Sequence, residues 1–214
     1  MNTHKVPDDA LQRISPHFLS LLAWIAAVGG VALIGGNIAG SIIVPGHDWV
    51  ADTVSDLAAG QYEIIQDVAL YGYAAALSAL ALACAHLHAG GWRWSALTLV
   101  LMLLAVCVIV IGARNEYGDG DNEGLVVHIY IVYFLGALFI GAFLLAARMF
   151  GDIAGWFVRM SWAAATLWTL GAPVFFMMPT GYDGAWERGL GVVCVIWSTA
   201  FARVIHTVGQ RAGA

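Results

Sequence analysis

The sequence predicts an all-α membrane protein, a single bundle of six transmembrane helices with a short amphipathic helix at the membrane surface in its first external loop. Three observations predict it. Only 11% of the 214 residues are charged and 61% are hydrophobic, whereas an ordinary soluble domain carries about a quarter charged residues. Apolar runs of roughly the 20 residues needed to cross a bilayer recur along the chain, at about 18–44, 66–87, 93–113, 125–147, 154–178 and 187–208. Lysine and arginine gather on alternate connections between those runs, as the positive-inside rule requires of a polytopic chain.

The N-terminal stretch MNTHKVPDDALQRISPHF is too mixed in charge for a secretory leader, and no small-residue cleavage site follows it. The first run is therefore expected to stay as a helix. Its segment GGNIAGS places Gly36 and Gly40 four apart, the spacing of a close helix contact, and Pro45 and Gly46 end it. Next comes HDWVADTVSDLAAGQYEIIQD, residues 47–67, with five acidic residues and no lysine or arginine. Asp48, Asp52, Ser55 and Asp56 recur there at helical spacing, with Trp49, Val50, Val54 and Leu57 mainly opposite. That pattern predicts the amphipathic helix, anchored by Trp49. Like charges four apart disfavour a helix, so the spacing calls for partner cations, a bound metal or plain solvation.

The second run closes with His86 and His88, and the third closes before Arg114. The second external loop, NEYGDGDNEG, aligns Asp119, Asp121, Glu123 and Gly124 with the opening of a calcium loop. Its twelfth position is Tyr130 rather than a bidentate glutamate, which excludes an EF-hand. What remains is a looser oxygen site completed by the first loop, or glycine turns leading to a helix cap on Asn122 or Glu123. The fourth run carries His128 just inside its external end, and Ala137 and Gly141 offer a second small-residue face. Pro173 is expected to kink the fifth run. The third external loop, MPTGYDGAWERG, leads into the sixth run at Glu187 and Arg188.

Sorting the connections by side puts seven cations (Lys5, Arg13, Arg93, Arg148, Arg159, Arg203 and Arg211) against two, Arg114 and Arg188. Both termini are therefore expected to be cytoplasmic, in the inner membrane of the cell. Eleven of the fourteen acids fall on the external side. Cys84, Cys107 and Cys194 lie inside predicted spans, with no CxxC, and read as small buried residues. The connections are short, so residues 1–214 are expected to form one domain.

Three function classes follow. The first is an accessory or assembly subunit that docks a membrane-protein partner on its acidic face through Asp48, Asp52, Asp56, Glu187 and Arg188. Such a one-signed surface steers basic partners. Arg188 is expected to pair there with a carboxylate. The second is a membrane-embedded metal-dependent hydrolase, with Ser55, Asp56, Asp67 and His128 holding an ion or activating water. A divalent cation there would draw on His47, His128, Asp119, Asp121 and Glu123. The third is a small transporter, disfavoured by spans almost free of charge near their middles. Haem is not expected, because His86 and His88 are two apart and His206 stands alone. Besides the lipid bilayer and a membrane protein, no nucleic-acid partner is expected. No lysine lies in a span, and GxSxG, HExxH and P-loop motifs are absent.

The layout resembles a six-span family of bacterial and archaeal membrane proteins known only as domain of unknown function 998. The resemblance rests on Ser55 and Leu57 as its Ser-x-Leu motif, on Asp67 opening the second helix, and on Gly124 with His128. It rests also on the Glu187–Arg188 pair. The chain departs where that family often has Phe-Pro and this sequence has Asn115 and Glu116. The resemblance implies six helices and an external polar cluster, and no established activity.

Overall fold

A computed structural model describes residues 15–58, 60–113 and 127–213. Among them are seven α-helices and no strand: α1 (Pro16–Ile43), α2 (Val54–Leu57), α3 (Ile64–His86), α4 (Trp92–Ala113), α5 (Val127–Met149), α6 (Gly155–Phe175) and α7 (Asp183–Ala212). The six long ones follow the six apolar runs. Five of them are long and apolar enough to cross a membrane, and α6 is not in that set. Arg159, Ser161, Thr166, Thr169 and Gly171 make α6 less apolar than its neighbours.

Each long helix packs on its sequence neighbours, and α7 closes back on α1. Short connections force this antiparallel order, because a short loop returns a helix beside the one before it. Two ends result. At one, the Ser15 N–H donates to Nε2 of His86 at 2.9 Å, Ser20 meets His206, and Trp94 packs edge-on against Phe150. At the other lie the 44–62 loop, Tyr133 against Phe176, and Trp186, whose indole N–H reaches the Gly171 carbonyl at 2.9 Å. We call the second the loop end.

The interior differs between the two halves. Away from the loop end it is filled by Phe143, Phe150, Phe157, Trp197 and Phe201, all fully buried with ring centroids 5.0 to 5.9 Å apart. Indole N–H groups tie helices together: Trp197 donates to the Ser161 hydroxyl in this half and Trp168 to the Gly136 carbonyl nearer the loop end, each at 3.0 Å. These bonds give buried tryptophans the partner they require. The outside is apolar as well. Trp24, Val28, Val31 and Ile42 on α1 and Leu167 and Leu170 on α6 are all more than half exposed, a surface that suits lipid rather than water.

Small residues let α1 approach α3 closely. A side chain at Gly29 would meet the backbone of Gly72, and one at Gly36 would meet Ala69. The expected pair of Gly36 and Gly40 therefore splits its work, since Gly40 faces Leu57 of α2 instead. Ala137 and Gly141 do not form a second contact face: Ala137 is exposed on a cavity wall, and Gly141 makes only ordinary contact with Val100. Pro173 sits in the last turn of α6, where the helix is about to end. There it deprives the Thr169 carbonyl of its usual donor four residues on.

The surface helix predicted from the acidic spacing does not form. Residues 48–52 make turns, and only Val54–Leu57 is helical. The aspartates themselves are the reason, since their carboxylates bond the backbone N–H groups at hand and so compete with a helix.

Candidate functional site

The loop-end half of the bundle holds a partly open cavity of about 660 Å³, within the roughly 300–1,000 Å³ range of small-molecule sites. Its walls are apolar side chains from α1, α3, α4, α5, α6 and α7, among them Leu33, Leu70, Ile111, Leu135, Phe139 and Ala172. Its polar lining includes Asn37, Ser55, His128, Glu187 and Arg188.

The loop that bounds the cavity is folded by its own carboxylates. Asp48 Oδ1 accepts from the N–H groups of Val50 and Ala51 at 2.8 and 3.3 Å, which holds the Asp48 carboxyl below its usual range. Asp52 Oδ2 accepts from the Asp48 N–H at 2.7 Å. Thr53 and Asp56 form a reciprocal capping box at the start of α2, the Thr53 Oγ1 accepting from the Asp56 N–H and the Asp56 carboxylate from the Thr53 N–H. Such a box satisfies donors that a helix start leaves unpaired.

Arg188 fastens this loop to α7. Its Nε donates to Asn37 Oδ1 at 3.0 Å, one terminal nitrogen to the carbonyls of Trp49 and Asp52 at 3.0 and 2.6 Å, and the other to His47 Nε2 at 2.9 Å. The Trp49 ring lies 4.6 Å from the guanidinium carbon, near enough for a cation–π contact. Arg188 is only 6% exposed. The expected pairing with a carboxylate is not what holds it: its hydrogen bonds go to two carbonyls, an amide and an imidazole. Five fixed donors suit such a scattered set of acceptors. Glu187 adds a second tie, accepting from the Val54 N–H at 2.7 Å, and the Ala185 N–H donates to the Val50 carbonyl at 3.0 Å. Gly184 admits this approach, because a Cβ there would strike the backbone of Asp52.

These bonds assign the His47 tautomer. Arginine can only donate, so Nε2 is the acceptor, and Nδ1 carries the proton facing Asp52 Oδ2 at 3.3 Å. The ring is neutral. Burial pushes its pKa below the ordinary value and Arg188 adds to the effect, against an opposing pull from Asp52.

Ser55 and Leu57, two apart on α2, take opposite roles. Leu57 is 1% exposed and packs on Gly40. Ser55 faces the cavity, its Oγ 3.4 Å from Nε2 of His128, which is itself 8% exposed. The structure thus brings together Ser55, His128, Glu187, Arg188 and His47 from the residues singled out in the sequence. Asp67 does not line the cavity; among the described residues its buried Oδ1 has no hydrogen-bond partner, and neither does the side-chain amide of the adjacent Gln66. Asp119, Asp121 and Glu123 lie outside the described residues, as does Arg114. Among the described residues, no three of His, Cys, Asp and Glu converge as a metal-ligand set. His86, His88 and His206 bond to Ser15, Ser95 and Ser20 at the opposite end.

Sequence reasoning missed Asn37. A polar side chain inside an apolar run is itself a signal, but the glycines around it drew the reading toward packing. Its Nδ2 is buried and has no hydrogen-bond partner among the described residues.

No curated protein and no solved structure matches the chain. The sequence model of the family described as Protein of unknown function (DUF998) matches residues 21–204, a stretch that contains Asn37, Arg188 and every residue lining the cavity. The chain is thus a membrane protein belonging to that family.

Proposed function

We propose that this protein binds an amphipathic, acyl-chain molecule drawn from the bilayer, its tail along the apolar walls of the cavity and its polar end beside Asn37, Ser55, His128 and Glu187. One observation carries the reading: a cavity of about 660 Å³ inside an apolar bundle whose polar lining is confined to a few side chains. Ligand sites of this kind take affinity from apolar area and orientation from a few placed polar groups. The partner-docking reading has less support, because the carboxylates of Asp48, Asp52, Asp56 and Glu187 already accept hydrogen bonds inside the loop.

The setting belongs to the same proposal. Six helices span the inner membrane, α6 included: its 21 residues rise about 30 Å, and its outward face carries Leu167 and Leu170. The end opposite the loop, with Arg93, Arg148, Arg159, Arg203 and Arg211 toward it, faces the cytoplasm.

Native mass spectrometry on gently extracted protein tests the binding. A lipid-sized adduct on the wild type that is lost in Ala172→Trp, which fills the cavity, supports it. An adduct unchanged in that variant places the lipid elsewhere and refutes the reading.

A further inference from the structure

We infer that Ser55 and His128 form a nucleophile–base pair that transfers the acyl group of an ester-bearing amphipath to water. The inference rests on the binding reading above and names the chemistry of that site. A serine hydroxyl and an imidazole nitrogen 3.4 Å apart are within the looser spacing seen before substrate closes a site. They come from separate elements, α2 and α5, and meet on the wall of an apolar cavity. His128 lies against the Ser55 hydroxyl on the same wall that bounds the apolar cavity.

The step balances without a further reagent. The Ser55 oxygen bonds the ester carbonyl carbon while its proton passes to His128 Nε2. The carbon–oxygen bond to the alcohol then breaks, and the alcohol leaves with that proton. Water adds to the acyl-serine with its proton taken by the same nitrogen, the fatty acid departs, and Ser55 is restored. Arg188 holds Asn37 through its Oδ1 at 3.0 Å, so the amide orientation is fixed, and its enclosed Nδ2 has no partner among the described residues. Asp56 is bonded to Thr53 and serves the loop.

The full chain in nanodiscs, treated with a long-chain alkyl fluorophosphonate, tests the pair. The expected result is a covalent adduct located on Ser55 by peptide mass spectrometry, absent in Ser55→Ala. In His128→Gln the labelling rate falls by about 10²–10⁴-fold, the usual contribution of a general base. A wild type that retains the bound lipid and gives no Ser55 adduct overturns the inference and leaves the binding reading standing. Loss of both lipid and adduct overturns both. A labelling rate unchanged in His128→Gln, with the fold intact by thermal melting, removes the base and sinks the pair.

Discussion

Arg188 carries the heaviest local demand among the described residues, because one buried cation clamps four groups, Asn37 of α1 and His47, Trp49 and Asp52 of the loop. Replacing it with lysine keeps the charge and loses the planar fork, so at least one of the four acceptors goes unserved. Breaking a buried, hydrogen-bonded charge costs about 3 kcal/mol. We therefore predict that Arg188→Lys lowers the thermal midpoint in detergent clearly, and that Arg188→Lys fares little better than Arg188→Met. His47 gives the clamp a pH dependence. Its pKa is lowered in the fold, so the unfolded chain binds more protons and stability rises with pH. The His47 contribution is complete above its ordinary 6.5 and is lost as pH falls through the lower folded value. The protection of the Val54 and Ala185 amides, measured against their intrinsic exchange rates at each pH, should fall over that window in the wild type. His47→Gln, which keeps an acceptor and a donor, should flatten the response; an equal loss of protection in that variant would show another group to be responsible. At this scale Ser55, His128, Glu187 and Arg188 were legible, because polar groups at the edges of apolar runs are few and costly. Their partners were not, since Arg188 bonds carbonyls that no side-chain pattern announces.

The elements were largely legible too. Six long helices fall within about four residues of the apolar runs. The failure was the acidic stretch, where i, i+4 spacing mimicked a helix face. Thr53 and Asp56 hold the S/T-x-x-D/E signature of a helix start, which marks α2 as beginning at Val54 and excludes Asp48 and Asp52 from it. Two glycines mark the tightest approaches between elements. Gly184→Ala should push the Asp52 backbone off α7, and Gly29→Ala should part α1 from α3 at Gly72. Overpacking of this sort costs about 1–3 kcal/mol, visible as a lowered melting midpoint. Gly35→Ala has open space around it and serves as the control, with a midpoint equal to or above that of the wild type.

At the scale of the whole molecule, the ring of helices is filled by aromatic side chains in one half and left hollow in the other. The sequence contained the apolar residues of both halves, yet a hollow is a property of packing between helices distant in sequence and leaves no periodic trace. Orientation is testable separately. Reporter fusions at the N-terminus, in the 87–91 turn and at the C-terminus should all report the cytoplasm, and one in the 176–182 connection should not; an N-terminus opposite to the C-terminus would refute six spans. The most direct measurement of the central claim is photo-crosslinking with a diazirine-bearing fatty acyl lipid, followed by mapping of the labelled residues. Labels are expected on the inward residues Leu135, Phe139 and Ala172, and lost in Ala172→Trp. Labels confined to the outward residues Val28, Val31, Leu167 and Leu170 would mean that lipid only surrounds the bundle, and would contradict that claim.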